Sequence, residues 1–299
     1  MKTLRTIPDV RAHVGAARRA GRSVGLVPTM GAFHAGHEAL MRAAREECDE
    51  VVVSLFVNPA QFEEASDLDA YPRTEARDAA IAAELGVDAL FAPPVAEIYP
   101  DGFVTAIGVA GLSGVLEGAA RGGHFTGVCT LVCKLFNIVA PDIAFFGQKD
   151  AQQVVVIRHM ARDLDLPIEL RIAQTVREPD GLALSSRNAR LADADRERAT
   201  ALRRGLEAAQ ALIEAGTTDP RAAEAAGRAA MAAADVEPEY FSVVDPDSLE
   251  RVQRVAGRVL VVVAARVGPV RLIDNVLIDT EPVATRAHPL DGTAVVGHS

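Results

Sequence analysis

The chain has 299 residues, 49% of them apolar, enough for real cores and, at about 150 residues per domain, suited to two domains. Lys and Arg total 31 against 41 Asp and Glu, a formal charge of −10, which argues against a general nucleic-acid surface because that needs clustered positive charge to displace counterions. No apolar run is long enough to span a bilayer, and Arg5, Asp9 and Arg11 interrupt any N-terminal signal core, so a soluble, cytoplasmic protein is expected.

Residues Thr6 to Gly21 read as a surface helix, with Pro8 in its first turn and Gly21 past its end. Val24–Val27 is a short buried strand, and Leu40, Met41, Ala44 and Cys48 mark a helix from about Gly36 to Glu47. Between them lies Pro28-Thr29-Met30-Gly31-Ala32-Phe33-His34-Ala35-Gly36-His37, the turn from strand to helix. Gly31 and Gly36 allow backbone conformations and close approaches that a side chain would block. The helix would aim its free N–H groups and positive dipole end back into this turn, a seat for a phosphate. Val51–Val57 is continuous and β-branched, the mark of a central parallel strand covered on both faces. Arg77 to Leu85 is helical, Gly86 caps it, and Ala89–Ala92 is another short strand. This β-α-β-α-β alternation predicts an α/β fold with a Rossmann-like, doubly wound parallel sheet, whose ligands sit beyond the C-terminal ends of the strands. The Pro28–His37 turn and Asn58-Pro59-Ala60-Gln61-Phe62 both fall at such ends.

The glycine-rich stretch from Tyr99 to Gly123 reads as extended pieces and loops, and Gly123 to Ala140 as helix. Cys129 and Cys133 lie one turn apart there; small hydrophobes are the simpler reading, a metal or redox pair the other. The three cysteines suggest no disulfide framework. Ile143–Phe146 is a strand, Gly147-Gln148-Lys149-Asp150 its C-terminal turn, Ala151–Leu164 a helix and Ile168–Ile172 a strand. After Leu191 the texture changes. Asp193–Ala215 and Pro220–Ala234 read as Ala-rich amphipathic helices, followed by strands Tyr240–Val244, Arg258–Ala265 and Val270–Ile278. The expected division is residues 1–185 as the catalytic domain, 186–282 as a second, smaller α+β domain, and 283–299 as a disordered tail.

Four groups of residues could carry chemistry. His34 and His37 can donate hydrogen bonds to phosphate oxygens and stabilise charge building on them; ordinary surface histidines or a metal pair are the alternatives, though no Cys or His cluster supplies further zinc ligands. Lys149, just past a strand end, can meet a triphosphate as a point charge, or it is simply solvated. In Arg177-Glu178-Pro179-Asp180-Gly181-Leu182-Ala183-Leu184-Ser185-Ser186-Arg187-Asn188, two hydroxyls and a guanidinium can close over phosphates; helix capping is the competing reading. Gln61, Gln152 and Gln153 offer amides suited to a ligand with hydroxyl and carboxylate groups; taken singly, each reads first as a surface glutamine. Glu117 and Arg121 in the glycine-rich segment read first as a local ion pair.

Pro-Thr-Met-Gly-Ala-Phe-His-Ala-Gly-His, Phe-Val-Asn-Pro-Ala-Gln-Phe, Asp-Ala-Tyr-Pro-Arg, His-Phe-Thr-Gly-Val, Phe-Phe-Gly-Gln-Lys-Asp-Ala-Gln-Gln and Arg-Glu-Pro-Asp-Gly-Leu-Ala-Leu-Ser-Ser-Arg-Asn follow one another densely through residues 24–191. In this order they resemble the pantothenate synthetase (pantoate–β-alanine ligase) family of the nucleotidyl-transferring α/β superfamily. Beyond residue 191 the resemblance rests on length and on Arg271-Leu272-Ile273-Asp274-Asn275. It implies a two-step reaction in which pantoate is adenylated by ATP and the pantoyl adenylate is captured by β-alanine. Carried over, His37 is the proton donor and His34 assists at the phosphates. Met30, Gly31, Ala32, Phe33, His34, Ala35, Gly36 and His37 line the ATP seat. Gln61 and Gln153 hold pantoate, with Gln61 also near β-alanine, and Tyr71 and Arg121 help position that second substrate. Gly147, Gln148, Lys149 and Asp150 meet ATP, Val176 touches the adenine side through its backbone, and Leu184, Ser185, Ser186 and Arg187 close over the triphosphate. Mg²⁺ would bridge phosphate oxygens, and a homodimer is implied.

Three positions depart from the family pattern. Leu184 stands where Met is usual, Phe33 replaces a common Leu, and Arg77-Asp78 stands where some relatives have paired acids, so no protein metal ligand is named. Two rival readings share the histidine turn: a nucleotidylyltransferase, and a non-catalytic nucleotide-binding protein.

Overall fold

Apolar strands alternating with amphipathic helices build a six-stranded parallel sheet. A computed structural model describes residues 1–63 and 65–280. The first of two compact units spans Met1–Gly147 and Gln152–Ala173. Its elements are β1 (Lys2–Leu4), α1 (Ile7–Arg19), β2 (Val24–Thr29), α2 (Ala35–Glu47), β3 (Glu50–Leu55), α3 (Ala65–Asp69), α4 (Glu75–Glu84), β4 (Ala89–Phe91), α5 (Val95–Ile98), α6 (Glu117–Ala120), α7 (His124–Val139), β5 (Ile143–Gly147), α8 (Ala151–Asp163) and β6 (Glu169–Ala173). The sheet order is β1-β4-β3-β2-β5-β6, and every pairing is parallel. From β2 the chain builds outward through β3 and β4, then returns to β2's other side with β5. The order therefore switches between β2 and β5, the place where doubly wound sheets open a crevice. Val24, Leu26 and Val27 of β2 and Val51, Val52 and Val53 of β3 are fully buried. Covering both faces is what demands such unbroken apolar strands.

Gln148–Ala151 and the chain from Gln174 form the second unit. It holds α9 (Asp193–Ala199), α10 (Ala201–Glu214), α11 (Pro220–Ala232), β7 (Pro238–Val244), β8 (Arg258–Val267) and β9 (Val270–Asp279). The three strands pair antiparallel in the order β7-β8-β9. Leu202, Leu206 and Ile213 of α10, Met231 of α11 and Phe241 and Val261 of the sheet share one core.

Three details differ from the sequence reading. β1 is an edge strand of three residues, too short and too exposed to leave a period. The helix expected over Asp193–Ala215 divides at Thr200, whose hydroxyl donates to Glu197 O at 2.7 Å; such local bonding competes with the helical ladder. The two units separate after Ala173, whereas the sequence places the boundary at 185/186. The intervening segment goes with the second unit because Arg177 is paired bidentately with Asp274 of β9, at 2.6 and 2.9 Å. The tail expected over 283–299 lies outside the described residues. Among the described residues no helix is long and apolar enough to cross a membrane.

Candidate active site

In the first unit, the Pro28–His37 segment leaves β2 and enters α2 at the switch point. His34 is the N-cap of α2, and its Nδ1 accepts from Gly36 N at 3.1 Å. His37 Nδ1 in turn accepts from His34 N at 3.4 Å, completing a capping box in which both partners are histidines. The two rings lie 4.1 Å apart. Because each Nδ1 accepts a hydrogen bond from a backbone N–H, each neutral ring carries its own proton on Nε2. A Cβ on Gly36 would sit 2.9 Å from His34 Cε1, so a side chain at residue 36 would push the His34 ring from its place over the helix start. The amides of Gly36 and His37 are already bonded, to His34 Nδ1 and His34 O. The first-turn donors are thus not all open to a phosphate, contrary to the expectation; the imidazole Nε2–H groups are the donors that the capping box adds.

The turn itself is held from a distance. Asp78 of α4, 0% exposed, accepts from Ala32 N at 2.8 Å, Phe33 N at 2.9 Å and the Thr74 hydroxyl at 3.1 Å. Gly31 has φ +86° and Ala32 φ +54°. Left-handed backbone at a non-glycine residue costs about 1–2 kcal/mol, and the bond from Ala32 to Asp78 offsets it. Phe33 is buried, its ring 5.5 Å from that of His37. We predict that Asp78→Asn, which turns an acceptor oxygen into a donor facing a backbone N–H, lowers stability by about 1–3 kcal/mol. The reading is a lower urea midpoint at unchanged slope; an unchanged midpoint contradicts the clamp.

Gln61 ends a short 3-10 turn, Pro59–Gln61, after β3. Its Oε1 accepts from Asn58 Nδ2 at 3.1 Å, and its Nε2 lies 2.8 Å from Met30 Sδ. These contacts use only part of the amide's two N–H bonds and two oxygen lone pairs. Asn58, fully buried, also donates to Gly127 O at 3.0 Å and accepts from the Tyr99 hydroxyl at 2.8 Å. Burial pushes the Tyr99 phenol up to about 12, so it stays protonated and donates. His124 Nδ1 lies 2.8 Å from Gln61 O and its Nε2 3.1 Å from Arg121 Nη1. Donation from Nδ1 to the carbonyl leaves Nε2 to accept from Arg121. Arg121 therefore reaches Gln61 through His124. Tyr71 packs edge-on against Phe62, with ring centroids 5.7 Å apart.

Gln152 is spent on structure: it donates to Leu112 O and Val115 O at 2.9 and 2.8 Å and accepts from Glu117 N at 3.0 Å. Gln153, next along α8, is half-buried. Gly147 ends β5, paired with Ala173. Beside Met30 and Gly31 opens a cleft of about 580 Å³, walled also by Leu55, Phe56, Pro72 and Asp78, within the size range of small-ligand sites. Cys129 and Cys133 are buried in α7, and burial pushes the Cys129 thiol up to about 12, as suits small core residues.

The second unit carries the remaining candidates. Gln148, Lys149 and Asp150 form a 3-10 turn, with Lys149 Nζ 3.6 Å from Asp150 Oδ1. Val176 O accepts from Leu184 N at 3.0 Å, and Arg177 bridges Ala183, so residues 176–184 fold back as a tight hairpin. Ser185 caps the 3-10 turn Ser186–Arg190, its hydroxyl accepting from Arg187 N at 3.3 Å. The capping reading of this serine is thus present in the structure; the hydroxyl proton remains a donor. Arg196 pairs with Glu178 at 2.6 Å and holds that carboxyl below its usual range. Among the described residues no three His, Cys, Asp or Glu side chains gather to cage a metal ion.

The sequence reading gave no role to Asp78, Asn58, Tyr99 or His124. Asn58 and His124 stood inside quoted motifs and Asp78 beside Arg77, but the contacts from Asp78 to Ala32 and Phe33, from Asn58 to Gly127 and Tyr99, and from His124 to Gln61 span 41 to 69 residues.

A family model described as Pantoate-beta-alanine ligase matches residues 2–277. The pantothenate synthetase of Moorella thermoacetica is 50% identical over 280 residues, 93% of this chain and 99% of that protein. That of Rhizorhabdus wittichii is 51% identical over 283 residues, 94% of this chain and 100% of that protein. Among solved structures, the pantothenate synthetase of Thermus thermophilus matches with a TM-score of 0.88 at 43% identity, covering 94% of this chain and 100% of that one. The pantoate-beta-alanine ligase of Francisella tularensis, complexed with beta-gamma ATP and beta-alanine, matches with a TM-score of 0.77 at 33% identity, covering 93% of this chain and 97% of that one. With similarity running from β1 into β9, through the histidine capping box and the Asn58–Gln61 turn alike, this chain belongs to the pantoate–β-alanine ligase family.

Proposed function

We propose that this chain condenses (R)-pantoate with β-alanine at the expense of ATP. A pantoate carboxylate oxygen attacks the α-phosphorus, the bond to the β-phosphate oxygen breaks, and pyrophosphate leaves. The neutral amine of β-alanine then attacks the acyl carbon of pantoyl adenylate. The bond from that carbon to the bridging oxygen breaks, AMP leaves, and the amine loses a proton to give pantothenate. A carboxylate is a poor electrophile until adenylation makes its oxygen part of a leaving group; positioning and charge stabilisation supply the rest.

The observation that carries this reading, in a chain of this family, is the two-histidine capping box that leaves protons on Nε2 at the sheet's switch point. His37 Nε2–H serves as proton donor where charge builds on the phosphates, and His34 Nε2–H assists. Met30 to His37 seat ATP. Lys149 acts as a point charge on the phosphates, with Gly147, Gln148 and Asp150 beside it. Val176 meets the adenine side through its backbone, and Leu184, Ser185, Ser186 and Arg187 meet the triphosphate. Gln61 and Gln153 hold pantoate, and Tyr71 and Arg121 position β-alanine, Arg121 through His124. Mg²⁺ would be held chiefly by the phosphate oxygens of ATP and would supply charge neutralisation there; an ion of this kind needs few protein ligands, so a protein cage is not required. A cytosolic homodimer completes the proposal.

The test supplies ATP, pantoate and β-alanine and follows AMP. Sustained AMP release is expected only with both acids present. Release without either one contradicts the ligase reading, and nucleotide transfer without AMP favours a nucleotidylyltransferase.

A further inference from the structure

Asp274 and Asn275 lie side by side near the middle of β9, in the one sequence motif the reaction scheme leaves without a role. Both are buried, at 4% and 5% exposure. Consecutive strand residues face opposite sides of a sheet, so one dipeptide serves two different segments. Asn275 Nδ2 donates to Gln148 O at 3.0 Å and to Lys149 O at 2.9 Å, while its Oδ1 accepts from Gln148 Nε2 at 3.1 Å. Both N–H bonds of the amide and its oxygen are thereby engaged on the Lys149 turn. Asp274 takes the guanidinium of Arg177 in a two-point grip, and its Oδ1 also accepts from Asn275 N at 2.8 Å. Arg177 Nη1 donates further to Gly181 O at 3.1 Å, pinning the hairpin that leads into Leu184–Arg187. The strand that carries the pair is matched with β8 from Arg258↔Asp279 to Val267↔Val270, a rigid base for a site.

We propose that Asp274 and Asn275 are positioning residues for ATP: Asn275 sets the Lys149 turn and Asp274, through Arg177, sets the Leu184–Arg187 segment. The inference rests on the ATP roles proposed above for those two segments. Neither residue touches the nucleotide; each fixes backbone that presents groups to it.

The test compares wild type with Asn275→Ala, which removes every bond to the turn, and with Arg177→Lys, which keeps the charge but loses the fork that matches a carboxylate. ATP affinity is read by equilibrium dialysis, and KM for each substrate by AMP release. In variants with an unchanged melting temperature or a modestly lowered one, we expect ATP affinity to fall about tenfold and KM for β-alanine to stay within about twofold of wild type. Unchanged ATP affinity in either folded variant overturns the proposal for its segment. A uniform loss toward all substrates points to general destabilisation and overturns it too. Dialysis needs no turnover, so a wild type that binds ATP without making pantothenate would sink the function and still test the clamp; Arg177→Lys keeps the test open if Asn275→Ala does not fold.

Discussion

Replacing His37 with alanine is expected to lower kcat for AMP formation by about a hundred- to a thousandfold, the range for removing a donor aimed at developing charge. Stability should fall far less. The substitution removes one half of the capping box, whose bond to His34 N is long at 3.4 Å, and losing such a cap costs about 1 kcal/mol. His37→Gln separates the two effects. Glutamine at this helix position can reach back to the N-cap amide as in ordinary capping boxes, but its amide is no acid. Stability should return with glutamine and activity should not. A folded alanine variant with unchanged turnover removes His37 from the mechanism.

Gly127→Ala is expected to be the most damaging change of a single methyl group. A Cβ at residue 127 in α7 would lie 2.1 Å from Ala60 O, 2.4 Å from Ala60 C and 2.7 Å from Gln61 N. The opposing atoms are backbone, so no side chain can swing aside. Gly127 O is moreover an acceptor for Asn58, which orients the Gln61 amide. Overpacking of this kind costs about 3 kcal/mol, which at this chain length shifts the melting temperature by several degrees. The turn that carries Gln61 must move, so KM for pantoate should rise more than KM for ATP. Equal changes in both would show that the strain is not confined to the Gln61 turn.

The histidine turn was legible because it is local. Strand, Gly31, the two histidines and the helix lie within one short stretch, and their spacing alone implies a turn that bears imidazoles. The parallel sheet was legible for the same reason: β2 and β3 are continuous apolar runs, and each is followed by a helix. What holds these parts in place was not legible. Asp78 grips Ala32 and Phe33 across 46 and 45 residues, Asn58 grips Gly127 across 69, and Asn275 grips Lys149 across 126. A lone acidic or amide residue on a helix or strand carries no pattern that names so distant a partner. Ser185 shows the converse: its cap on Arg187 N is a local contact that the sequence could offer, and a capping hydroxyl keeps a proton to give.

The central claim is that pantoate is activated by joining its carboxylate to the α-phosphate, and isotope tracing reads that bond directly. Pantoate labelled with heavy oxygen in its carboxylate is incubated with ATP, β-alanine and the enzyme, and the products are weighed by mass spectrometry. The account predicts AMP that carries one heavy oxygen in its phosphate and pantothenate that keeps the other in its amide carbonyl. Unlabelled AMP, or label in pyrophosphate or inorganic phosphate, would contradict it.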